Sequence, residues 1–270
     1  MRVGFISDLH IDVNPSYRRK DYLMALYQAC SERELDRLII GGDIANEWEE
    51  VLSFIEQLEG YLKIPVHFIP GNHDFWQIDQ PIKDTWAIYE RFKEHPQSLL
   101  EKNLPLTDET TLIAHTGWYN YAVHADRFTL EQFNEGKYRH GVWQDKVNLD
   151  WNLPDQEVSR LFANKVEAQL EKLTTPNAIL VTHVVNQPSF SVPMPHKVFD
   201  FFNAYLTTDD FLPLLAKYPI THSIMGHIHY RFMKKIDQTT FVLNSLGYKR
   251  EWRSPDLLQE IRSALFVLIL

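Results

Sequence analysis

Residues 37–43 read Arg37-Leu38-Ile39-Ile40-Gly41-Gly42-Asp43, a short apolar run that ends on two glycines and a carboxylate. Such a run, bounded by turn residues, predicts a buried strand. The same pattern recurs on both sides. Residues 3–7 form an apolar run that ends at Asp8, and residues 66–69 form another that ends at Pro70-Gly71-Asn72-His73-Asp74. Between the runs the spacing becomes helical. Leu23, Leu26, Tyr27 and Cys30 mark a helix capped by Asp21 and reaching residue 34; Val51, Leu52, Ile55, Leu58 and Leu62 share one face of the next. Strand, helix, strand, helix, strand predicts parallel strands joined by right-handed crossovers. In sheets of that kind, functional groups gather beyond the carboxyl ends of the strands. Here three polar clusters stand at three such ends.

Further along, the pattern predicts a helix over 79–92 and a strand over 111–114. Residues 118–151 are rich in aromatics but weakly periodic, so they read as an ordered insertion or lid rather than a linker. Residues 157–173 carry the clearest helical stripe, Val158, Leu161, Phe162, Val166, Leu170 and Leu173, which is a core face. A strand over 178–182 leads into His183, and the three prolines in 184–196 make that stretch a loop. A helix over 208–217 precedes a strand over 221–225 that ends at Gly226-His227-Ile228-His229. Residues 232–236 and 241–244 read as a hairpin, and 264–270 as a last strand. With no repeat and no composition break, the expectation is one domain over 1–270 with an insertion around 118–151.

A chain of 270 residues can bury a deep core. Its formal charge of -9 repels a polyanion, which disfavours nucleic-acid partners. Cys30 is the sole cysteine, so no internal disulfide forms, and it reads as a small buried hydrophobe. The first residues lack a signal-peptide pattern and the apolar tail is too short to span a bilayer, so a cytoplasmic protein without membrane attachment is expected.

The chemistry lies in five loops: Asp8-Leu9-His10, Gly42-Asp43, Gly71-Asn72-His73-Asp74, Thr182-His183 and Gly226-His227-Ile228-His229. Each follows an apolar run and offers oxygen or imidazole donors. This mixture suits borderline divalent ions better than magnesium or calcium. Any one of these motifs arises by chance. Five in order at strand ends would leave many polar groups buried without partners unless they bind something, at a cost of several kcal/mol each.

In this order the motifs resemble the calcineurin-like metallophosphoesterase superfamily over residues 8–229. The resemblance implies an α/β fold, a four-layer αββα sandwich of two mixed β-sheets flanked by helices. It implies one metal held by Asp8, His10, Asp43 and His229, and a second by Asp43, Asn72, His183 and His227, with Asp43 bridging. Manganese is the first choice, with iron, zinc, cobalt or nickel also suited. His73 matches the family's catalytic histidine, a general acid for the leaving group, while a hydroxide shared between the metals attacks phosphorus. A small phosphorylated substrate, monoester or diester, follows. Asn244-Ser245-Leu246-Gly247-Tyr248 is similar to an Asn-Pro-x-Gly-Tyr stretch of bacterial members, and Phe202-Asn203-Ala204-Tyr205 also echoes a bacterial subfamily. After Gly42-Asp43 the chain continues Ile44-Ala45-Asn46-Glu47, without the Asp-Arg-Gly of protein phosphatases, which argues against phosphoprotein substrates.

Two other readings compete. A DNA-processing nuclease is opposed by the acidic charge. A non-catalytic scaffold would have shed ligands, whereas every ligand position and His73 are filled here. Asp74 either supports a cationic His73, or caps a helix or fixes its loop. His115, His196 and Asn203 could reach the rim of the site. Trp118, Tyr119 and Tyr121 either stack on a ring of the substrate or pack beneath the insertion. Arg127, Lys137, Arg139 and Lys146 either contact phosphate or form a solvated face.

Overall fold

Val3, Phe5 and Ile6 are buried on both sides of the strand Arg2–Ile6 (β1), as befits a strand inside a mainly parallel sheet. In the computed structural model, which describes residues 1–78 and 84–270, β1 lies parallel to β2 (Arg37–Ile40), and β2 parallel to β3 (Val66–Phe68). The crossover helices are Arg19–Glu32 and Trp48–Leu62. The second buries Val51, Phe54, Ile55, Leu58 and Leu62, places Glu49 and Glu50 in its positive first turn, and stops at left-handed Lys63. Asp21 is not the cap of the first helix. It sits one turn inside and accepts the Arg18 backbone N–H at 2.7 Å.

The next strands build a second sheet. β4 (Asn103–Thr107) and β5 (Thr110–His115) form an antiparallel pair. After a small ribbon, β6 (Lys137–Tyr138) with β7 (Gly141–Val142), come β8 (Asn177–Thr182), β9 (Ile220–Met225), β10 (Arg231–Ile236) and β11 (Thr239–Asn244). Among the described residues the order is β10-β11-β9-β8-β5-β4, parallel from β11 to β5 with antiparallel edges. β8 shows how it is buried: Ile179 and Val181 point into the core shared with the first sheet, while Ala178 and Leu180 face the helix Asp155–Leu170. β12 (Phe266–Ile269) returns to the first sheet antiparallel to β1, giving the order β12-β1-β2-β3.

The two sheets face each other and are tied where strands end: Asn244 Nδ2 donates to Phe5 O at 2.6 Å, and Leu246 N to Ser7 O at 2.9 Å. Helices Arg19–Glu32, Trp48–Leu62 and Leu257–Ala264 flank the first sheet, and Asp155–Leu170 with Leu212–Lys217 the second. This is the expected α/β sandwich of two mixed sheets between helices.

Several boundaries differ from the sequence reading, each for a local reason. β4 went unpredicted because Pro105 interrupts it, which an edge strand tolerates. Ala264 ends the helix Leu257–Ala264, capped by Asp256 accepting from Gln259 N at 2.8 Å, rather than opening β12. The helix expected over 208–217 starts at Leu212, because the Thr208 hydroxyl accepts from Asp210 N at 3.1 Å and holds a turn. The helix expected over 79–92 is Thr85–Glu94, started by the Asp84 side chain; residues 79–83 lie outside the described residues. Among the described residues, no helix is long and apolar enough to cross a membrane.

Candidate metal centre

Strand ends converge where the two sheets meet. Asp8 N donates to Gly42 O at 2.8 Å, His10 N to Asp43 O at 3.1 Å and Gly226 N to His183 O at 3.0 Å. Thr116 Oγ1 reaches across to Pro70 O at 2.7 Å. Such tight crossings demand unusual backbone. Asp8, His10, Asp43 and His227 all have positive φ, between 43° and 68°, a left-handed conformation that costs L-residues energy and tends to persist at functional sites. Gly71 is required for space: a Cβ there would lie 2.2 Å from Asp43 Oδ1.

All eight residues singled out from the sequence come together. Three sets each bring one donor atom per residue within 4.8 Å of the others: Asp8, His10 and His229; His10, Asp43 and His73; Asp43, His183 and His227. Asp43 faces two ways, with Oδ1 3.3 Å from His183 Nε2 and Oδ2 3.7 Å from His10 Nε2. His10 Nε2 and His229 Nε2 stand 3.3 Å apart, and His229 Nε2 is 3.4 Å from Asp8 Oδ1. Asn72 Oδ1 lies 3.0 Å from His183 Nε2. Asp8 also accepts from Ser7 Oγ at 2.5 Å and from His227 N at 3.0 Å.

The far nitrogens of the rings fix which nitrogen faces the centre. His183 Nδ1 donates to Gly41 O at 2.9 Å, and His229 Nδ1 to Glu251 Oε2 at 2.6 Å, so each turns Nε2 inward. His227 is reversed: Nε2 donates to Tyr205 O at 2.9 Å, leaving Nδ1 for the centre. Rings that carry a metal are typically oriented by such outer partners. Buried carboxylates and imidazoles whose donor atoms face one another suit two divalent cations, since without positive charge the carboxylates have only the imidazoles to offset them.

The electrostatics agree. Burial opposes charge on His183 and His229, but the Asp43 and Asp8 carboxylates outweigh it and push them up to about 9 and about 10. Burial also opposes ionisation of Asp8, yet its bond to His229 holds it below the usual carboxylate range. Burial takes His227 down to about 4, so it stays neutral.

His73 stands at the edge of this cluster. Its Nδ1 donates to Asn46 Oδ1 at 2.8 Å, its Nε2 is 3.9 Å from Asp43 Oδ2, and its ring stacks on Trp76 at 3.6 Å. Burial lowers its basicity, while Asp43 and Asp145 oppose that. Asp74 is the loop fixer: Oδ1 accepts from Ile44 N and Ala45 N, and Oδ2 from Gly71 N, at 2.7–2.9 Å.

Other sequence candidates lie elsewhere. His115 is buried against Tyr89, Asn203 is spent on the Val192 backbone, and His196 bonds the backbone of Val198 and Phe199. Trp118, Tyr119 and Tyr121 are packed rather than open. Arg127 pairs with Asp200 and Lys146 with Asp155, and neither lines the cleft. Asn46, Glu251, Tyr248 and Asp145 were missed. Tyr248 packs on both His10 and His229, yet of these four only Tyr248, behind Gly247, falls in a recognisable motif. The centre opens into a cleft of about 940 Å³ whose lining includes Trp143, Phe199 and Phe232, with Arg250 and Arg253.

Comparisons with known proteins identify the family and the fold. The calcineurin-like phosphoesterase family model matches residues 1–231. The acyl-carrier-protein phosphodiesterase PptH of Mycobacterium tuberculosis is 25% identical over 272 residues, covering 92% of this chain and 78% of that protein. The crystal structure of phosphopantetheinyl hydrolase PptH from Mycobacterium tuberculosis superposes with a TM-score of 0.70 at 23% identity, over 99% of this chain and 95% of that one. A dimetal phosphatase from Danio rerio gives 0.53 at 12% identity, over 90% and 86%. The chain belongs to the calcineurin-like phosphoesterase family and is a metal-dependent phosphoesterase.

Proposed function

We propose that the chain hydrolyses a phosphodiester at a dinuclear centre. Asp8, His10, Asp43 and His229 hold one metal; Asp43, Asn72, His183 and His227 hold the other. The observation that carries this reading is Asp43, whose two oxygens address two separate imidazole sets. Manganese is the metal to test first. When bound, two cations neutralise charge on a phosphoryl group and bring the pKa of water toward neutrality.

The chain's own residues do the rest. Glu251, Gly41 O and Tyr205 O hold the three imidazoles in the tautomers that leave a lone pair free. Asn46 fixes the proton of His73 on Nδ1 and aims Nε2 at the site. As general acid, His73 carries a second proton on Nε2 and gives it to the leaving oxygen; burial disfavours that cationic form and lowers its pKa, and the Asp43 charge offsets part of the cost. The wall of Trp143, Phe199 and Phe232 suits a second substituent on phosphorus, and a cleft of about 940 Å³ exceeds what a phosphate with one small group needs. The PptH relative, named as a phosphodiesterase, supports the same preference. Residues 118–151 belong to one domain over 1–270 and supply part of that wall.

The test is hydrolysis by metal-free protein reloaded with manganese, comparing bis-p-nitrophenyl phosphate with p-nitrophenyl phosphate. The diester should be turned over with the higher kcat/KM. A monoester preference sinks the diester reading. No manganese-dependent hydrolysis of either sinks the dinuclear one.

A further inference from the structure

Asp145 lies inside the 118–151 segment, is 1% exposed, and its carboxylate collects four donors. Oδ1 accepts from Asn72 Nδ2 at 2.9 Å and Trp76 Nε1 at 2.7 Å. Oδ2 accepts from Trp143 Nε1 at 2.9 Å and the Tyr119 hydroxyl at 3.1 Å. Tyr119 and Trp143 belong to the same segment, so those two bonds explain how it folds on itself. The bonds through Oδ1 reach out of the segment to the strand-end loop that carries Asn72 and His73.

An asparagine amide has two ends of nearly equal shape and opposite chemistry. At Asn72 both ends are engaged: Oδ1 faces His183 Nε2 at 3.0 Å, and Nδ2 donates to Asp145. A carboxylate can only accept, so it takes the NH2 end and forces the oxygen toward the centre. The flipped amide would aim N–H groups at a cation and lone pairs at a carboxylate, unfavourable on both sides. Asp145 Oδ1, which accepts from Asn72, also accepts from Trp76, whose ring lies on His73. One buried oxygen therefore touches the supports of two candidate site residues.

We infer that Asp145 is a positioning residue that locks the Asn72 amide with its oxygen toward the metal centre, making the 118–151 segment part of the metal site. This rests on the reading of Asn72 as a ligand. The role is that of an outer partner, whose loss typically costs about 10–100-fold in metal affinity.

The experiment is calorimetric titration of Mn²⁺ into metal-free full-length protein: wild type, Asn72→Asp, Asp145→Asn and the double variant. Each exchange keeps shape: Asn72→Asp turns an amide into a carboxylate, and Asp145→Asn a carboxylate into an amide. Asp145→Asn should weaken one of two manganese sites about 10-fold and leave the other nearly unchanged. In the Asn72→Asp background two carboxylates face each other and repel, so the same Asp145→Asn change should tighten that site. Inversion of sign is the expected result. An equal factor in both backgrounds means that Asp145 only supports the fold, and overturns the inference. Asn72→Ala, titrated alongside, should also lose affinity at one site; two sites of wild-type affinity there would remove Asn72 as a ligand and the inference with it. Should Asp145→Asn fail to fold, the cycle is repeated with Trp143→Phe, which removes the indole N–H facing the new amide. The same inversion is expected, and an equal factor overturns it.

Discussion

Four of the five imidazoles at the centre have a partner behind the ring as well as neighbours facing the candidate metals, whereas His10 Nδ1 is buried without one among the described residues. Glu251 stands behind His229, Gly41 O behind His183, Tyr205 O behind His227 and Asn46 behind His73. The inward neighbours were legible in the sequence because they sit in compact motifs at strand ends. Of the outward ones, Glu251 and the Tyr205 carbonyl each stand 22 residues from the ring they hold, and no motif spacing pairs them with it. Asn46, although close in sequence to Asp43, carries no motif of its own. His73 is the sharpest point of the mechanism. His73→Ala should cut kcat by about 100-fold or more, the usual loss for a general acid, while two metals remain bound by elemental analysis. Turnover within a factor of two of wild type would take His73 out of the reaction.

At the scale of the element, the site is a consequence of where strands stop. β1 and β2 end at Ile6 and Ile40, and within three residues the chain reverses through left-handed Asp8 and Asp43. β9 delivers His227 and His229 in the same way. The loop after β3 comes so close to Asp43 that only glycine fits at position 71. Gly71→Ala would drive a methyl against Asp43 Oδ1 at 2.2 Å and Asp43 N at 2.5 Å. The loop must shift, at about 1–3 kcal/mol by the usual cost of overpacking, and Asp43 moves with it. The expected outcome is a lowered Tm together with weakened manganese binding in the same titration. Native metal affinity in a folded Gly71→Ala protein would show that the loops do not set the centre.

For the whole molecule, the cluster stores charge that its metals must displace. In the metal-free protein His183 and His229 are raised to about 9 and about 10, so both are protonated at neutral pH. Metal binding needs the neutral rings, so it must release protons. The sign follows directly: apparent affinity rises with pH below about 9, and flattens once both rings have lost their protons near 10. Calorimetry at pH 7 in two buffers of different ionisation enthalpy should therefore report net proton release. Affinity independent of pH between 6.5 and 9 would mean the rings are already neutral.

Sequence alone determined the sandwich's first parallel strands, the helices between them and the eight residues at the centre. Apolar periodicity encodes burial, and glycine beside a polar residue at a strand end encodes a sharp turn there. It also carried a correct alternative for Asp74, that of fixing its loop. The tertiary structure alone decided which nitrogen of each ring faces inward, that Asn203 and His115 hydrogen-bond to partners away from the centre, and that Asp145 joins the 118–151 segment to Asn72. The physical reason is range: a hydrogen bond spans about 3 Å in space but no fixed distance along the chain, so partners 73 residues apart leave no periodic trace.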